Sequence, residues 1–273
     1  MQEITVAGRA AASRAAGLTR MVEVFDFLHA HGRPISIGDL ARALAAPRST
    51  LYALVGTLID CGLLADAGEG KVFFGRKLYL FGMDYMRENA LVRQGRRAVD
   101  ELSAETGETA ELCMLHEGRY TIIHMAPGAR PFRISSAVGL QIPLPWTASG
   151  RLLLSGLDRA GIDRLVPEAD LALPDGRRID RGSFHAEIAE AGRRGHCITS
   201  GLVDTLTKCL AAPVRGGDGK VAATLCFVVP IDTPEEQVER LIGQLRDRAE
   251  RLSLGRDPAR PRLDSPPASL TEE

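Results

Sequence analysis

Between Leu18 and Gly62 the apolar positions keep helical time with two interruptions. In LTRMVEVFDFLHAH (18–31), Met21, Val22, Phe25 and Leu28 fall on one helical face. Gly32 stands at the stop position, and Pro34 prevents continuation. Ser36 is placed as an N-cap, with Asp39 three residues on as a capping-box partner. Ile37, Leu40, Ala41 and Leu44 then form the apolar face of a short second helix, broken at Ala45-Ala46-Pro47. A third helix is predicted from Arg48 to about Cys61, because Leu51, Leu54, Val55, Leu58 and Ile59 repeat at one-face spacing. Next, LLADAGEGKVFF sets two short apolar pieces around the turn-rich Asp66–Gly70, a hairpin signal. Helix, short helix, tight turn, helix and hairpin in this order make a winged helix-turn-helix over 18–76. Residues 1–17, small and carrying Arg9 and Arg14, are expected to be a disordered arm.

From 77 to 107 the pattern is helical again, with Leu78, Phe81, Gly82 and Tyr85, then Val92, Val99 and Leu102. This predicts a pair of connecting helices with a domain boundary near residue 90. After Gly107 the texture changes. ELCMLHEGRYTIIHMA predicts two strands turning at Glu117-Gly118-Arg119, and PFRISSAVG a third. Helices are expected at 147–157 and 184–194, then a strand at 196–199 and a long hairpin turning at 216–219. A last amphipathic helix opens at Pro234. An antiparallel sheet with interleaved helices makes 108–255 an α+β domain. Residues 256–273, proline-rich and poor in apolar groups, are expected to be a disordered tail.

The chain has 273 residues, 45% apolar and 25% charged, with a net charge of -1. That composition excludes a collagen-like, mostly disordered or disulfide-scaffold protein. It also excludes a polybasic coat for nucleic acid, although a local basic surface remains compatible with it. No apolar run is long enough to span a membrane, and no secretory leader is visible, so a cytoplasmic protein with no membrane role is expected. Five widely spaced cysteines suit free thiols in a reducing compartment. Cys113-x-x-His116 has no second close pair, so no metal and no cofactor is expected. The histidines assemble no Ser-His-Asp order, so the chain is not expected to be an enzyme.

The third helix carries the most chemistry. Off its packing face stand Arg48, Ser49, Thr50 and Tyr52 near the N-terminal end, where recognition helices meet bases and phosphates. Lys71 lies beside the hairpin tip and can touch the backbone, and Ser36 opens the preceding helix. Residues 1–77 hold nine Lys/Arg and seven Asp/Glu, a small excess. The layout fits binding to double-stranded DNA; it also fits a small-molecule sensor whose winged helix grips a protein.

These residues resemble a known family. ISIGDLARAL, PRSTLYALVGTL and CGLL are similar to the DNA-binding half of the IclR family of bacterial transcriptional regulators. GLQIPLPWTASGRLLLSGL resembles that family's PLHATASGKALLA-type segment, with Pro143, Leu144, Thr147, Ala148, Ser149 and Gly150 matching. TKCLAAPVRGGDGKVAATLCFVVP resembles its final hairpin through Cys209, Ala211, Ala212 and Pro213. The resemblance implies a GAF/PAS-like effector-binding domain, homodimers or tetramers, and a small organic acid, frequently aromatic, as effector. By motif position it implies a pocket lined by Ile134, Ile142, Trp146, Ala148, Ser149, Thr199, Cys209, Cys226 and Val228. Amide groups opening the helix at Thr147 would hold the carboxylate. Pro145, Trp146, Thr199, Cys226 and Val228 depart from the family pattern and imply a less polar pocket; Ala53 stands where the family often has Arg.

Overall fold

The computed structural model describes residues 3–116, 118–129 and 137–254, with side chains from 16 to 253. The chain divides into two compact units between Arg87 and Glu88.

The first unit runs α1 (Glu3–His31), β1 (Ile35–Ser36), α2 (Ile37–Ala43), α3 (Arg48–Asp60), β2 (Leu64–Asp66), β3 (Lys71–Phe74) and α4 (Arg76–Glu88). Its core joins Val24 and Leu28 of α1, Leu40 of α2, Leu51, Val55 and Leu58 of α3, and Leu64 and Val72 of the hairpin. Two expectations change here. Residues 3–17 are helical rather than a disordered arm: AGRAAASRAAG is rich in the strongest helix former and extends α1 without any apolar contrast to announce it. The buried face of α1 is set by Val24 and Leu28, so Val22 lies outside it, 51% exposed. Gly32 ends α1 at φ 68°, a conformation that favours glycine. The small sheet has order β1-β3-β2, so β1 also pairs with the hairpin.

The second unit runs α5 (Ala90–Thr106), β4 (Thr109–His116), β5 (Arg119–Ala126), β6 (Gln141–Ile142), a 3-10 turn (Leu144–Trp146), α6 (Ala148–Leu154) and α7 (Arg159–Leu165). It continues with a second 3-10 turn (Glu168–Leu171), α8 (Arg181–Arg194), β7 (Cys197–Ser200), β8 (Thr207–Arg215), β9 (Val221–Pro230) and α9 (Glu235–Leu254). The strands form one antiparallel sheet of order β6-β5-β4-β9-β8-β7. Alternation sends Leu112, Leu210, Leu225 and Phe227 to one face, against α5 and α9. It sends Cys113, Tyr120, Ala211, Cys226 and Val228 to the other, against α6 and α8. A sheet covered on both faces explains why VAATLCFVV is apolar at every position but Thr224 instead of alternating.

The residues 130–136 of the expected third strand lie outside the described residues, and so does the expected tail at 256–273. The next strand seen is the two-residue β6, on the edge. The helix expected to reach 157 ends at Leu154. Among the elements without a counterpart in the sequence reading are α7, capped by Asp158, and the turn at Glu168–Leu171.

Candidate DNA-reading face and effector layer

On α3, Leu51, Val55 and Leu58 are buried, while Arg48, Ser49, Thr50 and Tyr52 are all exposed. No side chain caps the N-terminus of α3, so its first-turn amides carry no side-chain acceptor. The remaining two members of the predicted set are differently placed. Ser36 is committed to capping α2: its Oγ accepts from the Asp39 amide at 3.1 Å and donates to the Asp39 carboxylate at 2.8 Å. That bond, with Arg42 beside it, holds the Asp39 carboxyl below its ordinary range, and Arg48 adds a weaker pull. Lys71 on the hairpin is exposed but ion-paired with Glu69 at 2.9 Å. Much of the cationic charge near the hairpin tip is thus neutralised locally.

In the second unit, α6 packs on β8 and β9. Cross-strand register lines up Thr199, Cys209 and Val228 in one row, and Ala211, Cys226 and Glu111 in the next. Ala148 and Ser149 open α6 over this face and are fully enclosed. Ile142, Ala148, Cys209, Cys226 and Val228 share one apolar cluster. Six of the predicted lining residues (Ala148, Ser149, Thr199, Cys209, Cys226 and Val228) therefore meet in a single layer. Ile142 joins it from the edge strand, and Ile134 lies outside the described residues. Trp146 is anchored by its polar edge: its Nε1 donates to the Asp170 carbonyl at 2.8 Å, while the Asp170 carboxylate accepts from Arg119 at 2.7 Å. The indole thereby ties the turn before α6 to the turn at Glu168–Leu171.

The expected amide cradle is also partly spent. Thr147 Oγ1 accepts from the Gly150 amide at 2.9 Å, and α6 has only seven residues. Arg151, almost fully buried, donates to the carbonyls of Pro145 and Thr147 and to Glu187, fastening α6 to the preceding turn and to α8. Two hydroxyls of this layer, Ser149 Oγ and Thr224 Oγ1, are buried without a hydrogen-bond partner among the described residues. Glu111 is a member that the sequence reading missed. It is 1% exposed and accepts from the Tyr120 hydroxyl at 2.9 Å. A cavity of about 490 Å³ opens elsewhere, between α8 and β7, lined by Arg151, Glu187, Glu190, Arg194, His196 and Cys197 among others. It contains none of the predicted lining residues, and Glu190 already pairs with both Arg193 and Arg194.

Burial pushes the layer's thiols up: Cys209 to about 12, and Cys113 and Cys226 well above the ordinary value, with the Glu111 charge adding to each. Cys197, at the end of the layer, is raised to about 11 by burial. Such thiols are poor nucleophiles at neutral pH. Cys61 is exposed on the first unit. Titration of the folded protein with an aromatic disulfide at neutral pH is expected to label Cys61 promptly, the half-buried Cys209 slowly, and Cys113, Cys197 and Cys226 only on unfolding. Rapid labelling of Cys209 would show that the layer opens to solvent. Among the described residues no three His, Cys, Asp or Glu side chains are placed to hold a metal, and no helix is long and apolar enough to cross a membrane.

The family model for the IclR helix-turn-helix domain matches residues 17–67, and that for the bacterial transcriptional regulator IclR C-terminal domain matches residues 83–254. The chain belongs to the IclR family. It is a DNA-binding transcriptional regulator with a small-molecule effector domain. Among curated relatives, it is 26% identical to the HTH-type transcriptional regulator KdgR of Escherichia coli over 86% of this chain and 92% of that one. It is 26% identical to the Pca regulon regulatory protein of Pseudomonas putida over 76% and 72%. Its fold is that of an IclR homologue of Microbacterium hydrocarbonoxydans crystallised with 4-hydroxybenzoate, at TM-score 0.76 and 20% identity over 87% of this chain and 98% of that one. The IclR regulator of Alicyclobacillus acidocaldarius superposes equally well, at TM-score 0.76 and 22% identity over 88% and 98%. In this IclR-type chain, the helix-turn-helix match ends within the hairpin and takes in all of α3.

Proposed function

We propose that α3 and the β2–β3 hairpin form the operator-reading face, and that a small aromatic acid bound between α6 and the sheet controls it. The observation that carries the first half is the exposed N-terminal turn of α3, uncapped and bearing Arg48, the only cation of that helix. Arg48→Ala is expected to weaken operator binding by about 1–3 kcal/mol, read by fluorescence anisotropy at fixed salt. Parental affinity in the variant would remove Arg48 from the interface. A regulator that acts on bacterial DNA works in the cytoplasm.

The effector half is supported by Ser149 and Thr224. A buried hydroxyl without a partner costs about 1–3 kcal/mol, which a hydrogen-bonding ligand in this layer would recover. The relative crystallised with 4-hydroxybenzoate makes hydroxybenzoates the first compounds to titrate. Thr224→Val deletes one of these two hydroxyls at nearly constant volume. It is expected to lower effector affinity about tenfold, the worth of one hydrogen bond, as measured by calorimetry. An unchanged affinity would place the ligand elsewhere, with the groove beside His196 as the next site to test.

The assembly supported best is a homodimer closed through α4, or a tetramer built from two such dimers. Tyr79, Leu80, Phe81, Met83 and Tyr85 are all exposed on α4, which buries no residue. Large apolar side chains exposed at this density on one short helix mark a protein contact. Operators read by paired heads give a second copy as the covering partner.

A further inference from the structure

The composition of the exposed face of α3 says what kind of sequence it reads. At 100° per residue, the direction opposite Leu51, Val55 and Leu58 is occupied by Ser49, Ala53 and Gly56, with Thr50 and Thr57 on one flank and Tyr52 on the other. Apart from Gly56, which is half-buried, these residues are exposed, and a Cβ built on Gly56 meets nothing within 4 Å. From Ser49 to Thr57 there is no Arg, Lys, Asn, Gln, Asp or Glu. Those are the side chains that grip guanine, adenine and cytosine edges by hydrogen bonds in the major groove. Thr57 directs its hydroxyl back to the Ala53 carbonyl at 3.0 Å, so the group it has left to offer is its methyl. Asp60, exposed at the far end, would repel phosphates there, which leaves the turns from Arg48 to Thr57 to enter the groove. Independently, the helix-turn-helix match assigns DNA to this unit.

We propose that α3 reads thymine methyl groups: Ala53, Thr50 and Thr57 form an apolar contact surface for neighbouring A·T pairs, and short side chains at Ser49 and Gly56 let the helix backbone approach closely enough to use it. The one charged contact that α3 itself can make, to a guanine or a phosphate, comes from Arg48 in its first turn. The half-site core is accordingly A·T-rich, and its recognition depends on the 5-methyl group rather than on purine hydrogen bonds. This rests on the reading of α3 as the helix that enters the groove.

The test uses the full chain and a pool of randomised duplexes. Repeated selection is expected to return paired half-sites with adjoining A·T pairs at their centres; half-sites of G·C pairs alone would overturn the proposal. The selected duplex is then resynthesised with deoxyuridine for thymidine, which removes only the methyl groups. Affinity is expected to fall fivefold or more per half-site, on the order of one mismatched pair. Equal affinity for the two duplexes would overturn the proposal. Ala53→Ser, an exposed change that leaves the core untouched, is expected to reduce the preference for thymine over uracil. Ala53→Glu separates the two levels of inference. If it abolishes binding while uracil is neutral, α3 is in the groove and only the methyl readout fails. If it binds like the parent, α3 is not in the groove and the underlying reading fails with it.

Discussion

Gly150→Ala is expected to lower the melting temperature of the second unit by roughly 6–12 °C, on the order of 3 kcal/mol for a domain of this size. Position 150 lies in the first turn of α6, where the preceding 3-10 turn folds back over the helix. A Cβ there would collide with the carbonyl, and crowd the Cα, of Leu144. The obstacle is backbone, so no rotamer relieves it. Moving Leu144 would pull on Trp146, which is anchored to the Asp170 carbonyl, and on the Pro145 carbonyl that Arg151 holds at 2.9 Å. The loss should therefore spread from α6 to the turn at Glu168–Leu171 and abolish the effector response. The first unit has its own core, built from α1, α2, α3 and the hairpin, and its unfolding should be unchanged. Scanning calorimetry separates the two: a variant whose second transition stays where the parent's lies would mean that the 3-10 turn can shift freely.

How far the sequence carried the fold depended on whether a segment advertises itself by contrast. The face of α3 is legible because Leu51, Leu54, Val55, Leu58 and Ile59 stand out from polar neighbours. The Ser36 cap is legible because a hydroxyl three residues before an acid has a local geometry. The first part of α1 was missed for the opposite reason: an alanine-rich run has helix propensity but no apolar contrast, and periodicity is blind to it. α7 and the turn at Glu168–Leu171 are too short to show a period at all. In the effector layer, motif positions brought six residues to one face, yet the roles of others depend on distant partners. Trp146 is placed by its motif position, but the anchoring of its indole N–H by the Asp170 carbonyl, 24 residues on, is a tertiary contact that no local pattern announces. Glu111 sits in TAELCMLH at an inward position, and that alternation was a usable signal. Only the pairing with β5, which brings Tyr120 to it, says why an acid is accommodated there.

Phe81→Glu is expected to have the largest effect on operator binding of any exposed substitution, without touching a base. Phe81 is 51% exposed in the single chain, with the Lys77 ammonium 5.7 Å from its ring centroid, so a carboxylate there costs the folded monomer little. In a dimer closed through α4, the same carboxylate would be buried opposite its own copy, and two like charges in a low-dielectric seam are strongly unfavourable. The consequence for DNA follows from valency. Once one head is bound, a tethered second head acts at an effective concentration in the millimolar range, and this raises overall affinity by about 10²–10⁴. Splitting the dimer removes that factor while leaving Arg48, Ser49, Thr50 and Tyr52 as exposed as before. Light scattering should show monomers, and operator affinity should fall by roughly the same 10²–10⁴ at fixed salt. Phe81→Leu, which keeps the apolar face, should retain both assembly and affinity. A Phe81→Glu protein that remains dimeric and binds like the parent would place the seam on another surface of the chain.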